Sequence, residues 1–389
     1  MSEQILKVHC LPVSGGAFVA QLALLKELLS SSDNLHPDIA LCSSGGNVAT
    51  YIGMAANWNP VAIDRIALQV DSEMLVMNWW PKHLDFLPTI LIGVFSGSIY
   101  RQGYGVSKMY KNLFNSSNIT STEIWTGTYH KDHNREKFFC NKGEGTTYIK
   151  RENFEKNRIL YNCEPLTYAD GNIDLLAKVS IASASIPVLV SEQNILGTEY
   201  ADGGTMHASP LTVMSDDILN LIKPTNKQDK VIVQKIISEE DLAFEQKTDI
   251  VKMFNTVEEN RRLHLTYFSC YDIDGTINSD ENKGTVMSDV GGSLTSLVES
   301  LSIIDRAKSL ELLKAIAGSD TIEYEHHPEL TTKELSSIMS RIKNYKHYVL
   351  NLFPHGTPSI NMLSFTSDDI TRVMENVKRA YGCHIYFIR

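Results

Sequence analysis

Residues 5–58 alternate strand-like and helix-like patterns in an order that few folds accommodate. Residues 5–13 (Ile-Leu-Lys-Val-His-Cys-Leu-Pro-Val) read as a strand running straight into Ser14-Gly15-Gly16. Phe18, Leu22, Leu25 and Leu29 then recur at i, i+4, i+7 and i+11, one face of a helix. The cluster Ser30-Ser31-Ser32-Asp33-Asn34 ends that helix. Residues 38–42 read as a second strand, and a second helix follows Ser44 to about Trp58. Strands that alternate with helices return across the sheet and therefore run parallel. The expected fold is α/β: a three-layer α/β/α arrangement around a mostly parallel central sheet.

Three loops carry candidate chemistry. In Leu41-Cys42-Ser43-Ser44-Gly45-Gly46 a strand turns directly into a helix. A serine on such a turn exposes its hydroxyl, and small neighbours let the strained turn close. The first N–H groups of the following helix lack intrahelical partners and carry the positive end of its dipole. Negative charge developing at Ser44 is therefore favoured. The same residues also read as a plain helix cap with a glycine turn.

Ser14-Gly15-Gly16-Ala17 also joins a strand to a helix. Glycine lets the backbone approach a ligand and aim its amides, which suits either a phosphate or an oxyanion hole. Neither G-x-x-x-x-G-K-S/T nor G-x-G-x-x-G occurs, so nucleotide binding is the weaker reading. Asp202, in Tyr200-Ala201-Asp202-Gly203-Gly204, follows an apolar strand-like stretch. It reads as a turn aspartate or as a general base within reach of Ser44.

Further along, residues 84–99 are the most apolar stretch, yet too short and interrupted to cross a bilayer. Residues 111–160 are polar and read as an insertion with strand pieces near Trp125 and Phe138. The core pattern returns over 173–190 as a helix running into Pro187. Beyond Pro210 the sequence turns charged and helix-favouring, most clearly over Val231–Asn260, with strand-like runs at 265–271, 347–353, 359–365 and 383–388. A last helix begins near Ser367, where Asp368 and Asp369 complement its dipole. This division gives a first unit over 1–215, which holds all three loops, and a C-terminal α/β region over 216–389.

Composition excludes several classes. The chain carries 36 basic and 46 acidic residues, a net charge of −10, without a basic stripe interleaved with aromatics. Nucleic acid is not an expected partner, and any lipid contact must come from a local apolar surface. Six cysteines without C-x-x-C spacing fit reduced thiols in a cytosol-like compartment better than a disulfide framework or zinc site. No signal peptide and no spanning segment are read, so the expected location is cytoplasmic, with peripheral membrane association. The sequons at Asn115 and Asn118 are then not expected to be glycosylated.

Taken together, the loops resemble the patatin-like phospholipase family, which uses a Ser–Asp dyad. That family has a glycine-rich oxyanion loop, a serine elbow, an A-S-x-A-x-P segment and a D-G-G/A motif. This chain has Ser14-Gly15-Gly16, Ser44 in its elbow, Ala182-Ser183-Ala184-Ser185-Ile186-Pro187 and Asp202-Gly203-Gly204, in that order over about residues 5–210. It departs from the pattern at four places. Ser14 replaces the first glycine of the oxyanion loop, Phe18 stands where a basic residue is common, Cys42 replaces a glycine, and Ser209-Pro210 replaces N-P.

The resemblance implies a lipid acyl hydrolase. Ser44 would be the nucleophile, Asp202 the general base, and Gly15 and Gly16 the oxyanion hole, with Gly45, Gly46, Gly203 and Gly204 supporting the loops. It implies no metal and no cofactor, a lipid substrate met at a membrane or micelle surface, and acyl-chain contact for residues 84–99 if they are not core.

Three alternatives stay open. His207 beside the aspartate loop would serve a triad. Asp272 and Asp274, in Tyr271-Asp272-Ile273-Asp274-Gly275-Thr276, resemble the first motif of haloacid-dehalogenase phosphatases, with Asp368-Asp369 as the metal pair. A catalytically weak patatin-like binding module would accommodate the altered glycines. Glu281 ends an acidic stretch whose glycine falls wrongly for an EF-hand, and the adjacent side chains of Glu325-His326-His327 do not converge.

Overall fold

The computed structural model describes residues 5–33, 35–70, 76–78, 100–102, 122–132, 134–142, 173–187, 190–205, 209–222, 261–270, 322–355 and 366–388, with isolated positions between 307 and 315. Its elements are β1 (Ile5–Leu11), α1 (Phe18–Ser31), β2 (Ile39–Ser43), α2 (Ser44–Ala55), α3 (Pro60–Ala67), β3 (Val76–Asn78) and β4 (Tyr100–Gln102). There follow β5 (Glu123–His130), β6 (Arg135–Cys140), α4 (Ile173–Ser183), β7 (Gln193–Ile195), β8 (Thr198–Asp202) and α5 (Pro210–Ile222). The chain closes with β9 (Arg262–Phe268), β10 (Glu323–Leu330), α6 (Thr332–Ile342), β11 (His347–Pro354), α7 (Ser367–Arg379) and β12 (Tyr381–Ile388).

The fold is mixed α/β with a largely parallel central sheet, ordered β10-β12-β11-β9-β1-β2-β5-β8-β7, with β6 also on β5. The run β11-β9-β1-β2-β5 is parallel throughout. Antiparallel strands close both edges: β12 and β10 on one side, β8, β7 and β6 on the other. Strands buried on both faces read as continuous apolar runs, which is why β1 and β2 stand out in the sequence. One face packs against α1, α2, α3, α6 and α7, with Phe18, Leu25, Ile52 and Trp58 in that core. The other face packs against α5 through Leu211, Met214 and Ile218.

Several expectations shift. The second helix ends at Ala55 rather than Trp58, because Asn57 and Trp58 take positive φ values of 51° and 55°. The chain restarts as α3, where Asn59 Oδ1 accepts from the N–H of Val61 and of Ala62, 3.0 Å each, and Pro60 fills the first turn. The segment read as an insertion over 111–160 contributes β5, an interior strand parallel to β2, with Ile39 opposite Glu123 and Ser43 opposite Gly127. Its polar look comes from buried, bonded groups: Trp125 Nε1 donates to Glu123 Oε1 at 2.9 Å, and Asn141 Oδ1 accepts from Ile124 N at 2.8 Å.

The sheet also runs across the expected division near residue 215, since β9 pairs with β1 from Ile5–Arg262 to Cys10–Tyr267. The stretches 84–99, 231–260 and 359–365 and the sequons at Asn115 and Asn118 lie outside the described residues.

The final helix starts as expected, though Thr366 is its cap: Asp369 Oδ2 accepts from the Thr366 N–H at 3.0 Å. No described helix is long and apolar enough to cross a membrane. None of the described cysteines (Cys10, Cys42, Cys140, Cys270, Cys383) forms a disulfide, and all are buried.

Candidate active site

The register of β5 brings the predicted residues together. Trp125 pairs with Leu41 of β2 and with Cys140 of β6, so β2 and β6 occupy opposite edges of β5. Thr128 pairs with Lys137 of β6 and with Asp202 of β8, so β8 lies on the β2 edge. Ser43 faces Gly127 and Asp202 faces Thr128, on consecutive rungs. The parallel strand β2 and the antiparallel strand β8 thus meet tip to tip along one edge. Ser44, the next residue after Ser43, arrives beside Asp202.

The Ser44 hydroxyl donates to Asp202 Oδ2 at 2.7 Å. The other carboxylate oxygen, Oδ1, accepts from the Gly204 N–H at 2.7 Å. Ser44 and Asp202 are both 3% exposed. Ser44 adopts φ 51°, the left-handed region that a residue with a Cβ rarely enters. A strained serine at a strand-to-helix turn has the geometry of a nucleophile elbow.

Burial pushes the Asp202 carboxyl up to about 7, because ionisation in a dry site is unfavourable; the hydrogen bonds from Ser44 and Gly204 pull the other way. Such a carboxylate is ionised in substantial part at neutral pH and basic enough to take a proton.

The glycines hold the three loops against one another. A Cβ on Gly45 would overlap the Ser14 hydroxyl and stand 2.7 Å from Gly15 O and 3.0 Å from Gly15 N. A Cβ on Gly46 would overlap the carbonyl oxygens of Leu11 and Pro12. Gly203 lies on the Gly127 carbonyl and the Ser43 hydroxyl, and Gly204 lies on Val13 and Asp202. Gly15, at φ 49°, opens a 3-10 turn, Gly15–Ala17, ahead of α1. The Gly15-Gly16 loop therefore sits on the first turn of α2, beside the residue that follows Ser44.

Three of the four departures from the pattern that the motifs resemble, at Cys42, Ser209 and Phe18, are absorbed locally. The Cys42 side chain packs behind the turn, its sulfur 3.5 Å from Thr126 Oγ1. Ser209 does the work of a cap, its hydroxyl accepting from the Leu211 N–H at 3.1 Å as α5 begins. Phe18 is buried in the core under α1.

Residues that the motifs left without a role also reach the site. Gln21 Nε2 donates to the carbonyls of Pro12 and Phe268, both at 3.1 Å, and so anchors the strand end that leads into the glycine loop. Its only sequence signal is a polar residue on an otherwise apolar helix face. His207, Asp272 and Asp274 lie outside the described residues.

Among the described residues, no three His, Cys, Asp or Glu side chains gather as a metal group would. In β10 the successive side chains diverge: His327 pairs with Glu325 at 3.2 Å, while His326 stacks on His384 with centroids 4.4 Å apart.

These features define an α/β protein with a buried Ser–Asp pair at the carboxyl edge of a parallel sheet. The chain matches no protein-family model and no curated protein. Among solved structures it is similar to the crystal structure of VipD from Legionella pneumophila, at TM-score 0.30 and 11% identity, over 97% of this chain and 67% of that one.

Proposed function

We propose that this protein is a serine acyl hydrolase of the patatin-like type, cleaving fatty-acyl esters through Ser44 and Asp202. The observation that carries the reading is the 2.7 Å hydrogen bond from the Ser44 hydroxyl to Asp202, made on a strained strand-to-helix turn. A buried base beside a serine hydroxyl is what nucleophilic activation requires.

The reaction runs in two halves. Asp202, as carboxylate, takes the Ser44 proton while Oγ bonds to the ester carbon, and the carbonyl electron pair moves onto oxygen. The amides of Gly15 and Gly16 stabilise that oxyanion, each well-aimed donor contributing roughly 3–4 kcal/mol. Collapse breaks the ester C–O bond, and the leaving alkoxide takes the proton from Asp202. Water then attacks the acyl-serine with Asp202 again accepting a proton, and the carboxylic acid leaves as Ser44 is restored. No step calls on a metal ion.

The lipid nature of the substrate follows from the family resemblance of the four motifs. A fluorophosphonate probe is expected to label the native chain at Ser44 and to leave Ser44→Ala unlabelled. In a panel of phospholipids, lysophospholipids and glycerides, Ser44→Ala and Asp202→Asn are each expected to lose roughly 10³-fold or more of the native rate. Equal hydrolysis by all three proteins would remove the assignment.

A further inference from the structure

The segment Ala182-Ser183-Ala184-Ser185-Ile186-Pro187 has no part in the chemistry above, yet it touches both members of the pair. Ser183 closes α4, is wholly buried, and its hydroxyl is engaged twice. It lies 2.7 Å from the carbonyl oxygen of Gly127 and 3.0 Å from the backbone nitrogen of Ser44. A carbonyl only accepts and an N–H only donates. The Ser183 proton therefore goes to Gly127, and its lone pair receives the Ser44 amide.

Two residues on, the carbonyl of Ser185 accepts the Asp202 N–H at 2.9 Å. The turn is braced from within, because the Ser185 hydroxyl donates to Ile181 O at 2.7 Å. One short stretch of chain thus grips the backbone of Ser44 and the backbone of Asp202.

We propose that Ser183 is a positioning residue: its hydroxyl holds Ser44 in the left-handed conformation and, with the Ser185 carbonyl, sets the Ser44–Asp202 separation. The need is specific. The N–H of a first-turn residue has no acceptor within its own helix, and the left-handed conformation is unfavourable for any residue with a Cβ. A buried acceptor at that point fixes both at once. The bond also commits the Ser44 amide, so oxyanion donors must come from the Gly15-Gly16 loop and from later amides of α2. The kinetic consequence rests on the hydrolase reading; the structural consequence does not.

The test compares Ser183→Ala, Ser183→Val and Ser183→Thr in the full chain, since valine matches the shape of threonine without its hydroxyl. Hydrogen exchange resolved at the Ser44 amide is expected to quicken roughly tenfold or more in Ser183→Ala and Ser183→Val, with amides of β11 unchanged. Ser183→Thr is expected to keep the native rate to within about threefold. On p-nitrophenyl butyrate, kcat is expected to fall roughly 10- to 100-fold in the Ala and Val variants while KM stays within about twofold.

Unaltered exchange at Ser44 in Ser183→Ala would overturn the proposal, as would equal kinetic losses in the Thr and Val variants. A native chain that neither hydrolyses esters nor reacts with a fluorophosphonate would defeat the hydrolase reading alone, and the exchange measurement would still decide the role of Ser183.

Discussion

Gly46 packs on the carbonyl oxygen of Leu11 with no room for a side chain, since a Cβ there would overlap that oxygen and the next one, at Pro12. Both obstacles are backbone and cannot swing aside. Gly46→Ala is therefore expected to cost about 1–3 kcal/mol or more and to lift the glycine loop off α2. Gly15 is the contrasting case. Nothing lies within 4 Å of its missing Cβ, but its φ of 49° is left-handed. Gly15→Ala is expected to cost about 1–2 kcal/mol through conformation alone. Urea denaturation of the two variants checks the ordering, and a larger loss at Gly15 would contradict the packing described.

The Asp202 carboxyl sets opposite pH demands on folding and on the proposed hydrolysis. Burial raises it from 3.8 to about 7. A folded value above the unfolded one means that folding favours the protonated acid. That stabilising contribution is complete below about pH 4 and is lost as pH rises through about 7, a difference on the order of 4 kcal/mol. In the proposed mechanism Asp202 must be ionised to take the Ser44 proton, so ester hydrolysis is expected to rise with pH through a midpoint near 7. Asp202→Asn is expected to abolish hydrolysis while making the protein more stable than the native chain at about pH 8. Chemical denaturation of both proteins across that range is the check. A native chain that gains stability over the Asn variant between about pH 5 and 8 would show the sign to be wrong.

How much of this was legible in the sequence depends on the range of the interaction. β1, α1, β2 and the serine turn are local patterns, and each lies within a residue or three of its expected bounds. β5 and β6 fall where strand pieces are expected near Trp125 and Phe138, but the interior place of β5 is hidden because Glu123, Thr126, Thr128 and His130 look polar although all are buried. β10 leaves no mark in the sequence because it is an edge strand whose side chains alternate between half-buried and exposed, with no apolar stripe. The motifs gave Ser44 and Asp202 without giving a reason for their meeting. That reason is the shared edge of β5, a pairing between distant strands that no short window contains. The reach of Ser183 to Ser44 was invisible for the same cause.

Gln21 should matter more than its place on α1 suggests. Its amide nitrogen donates to Pro12 O and Phe268 O and also lies 3.2 Å from Cys270 Sγ, in a site without solvent. Replacing it removes a donor from two buried carbonyls, each such loss costing about 1–3 kcal/mol. Gln21→Leu is expected to lose roughly 2–4 kcal/mol of stability. Because Pro12 leads into the glycine loop, fluorophosphonate labelling of Ser44 is expected to slow as well. Differential scanning calorimetry and labelling kinetics on this variant decide the matter, and native values in both would show the anchor to be dispensable.

Cys42 stands two residues before Ser44, where a reactive thiol would confuse any inhibitor study. Its surroundings argue for inertness. Burial pushes the thiol up to about 12, against weaker opposing hydrogen bonds from Thr126 and Thr50, so the thiolate is scarce at neutral pH. The side chain belongs to the core under α1 and α2. Iodoacetamide is expected to leave Cys42 unmodified in the native protein, read by mass spectrometry of its peptide, and to modify it once urea has unfolded the chain. Cys42→Gly is expected to keep fluorophosphonate labelling while losing about 1–2 kcal/mol through the vacated space and the added backbone freedom. Rapid alkylation of Cys42 in the folded state would mean that the turn opens to solvent, and the packing around Ser44 would need revision.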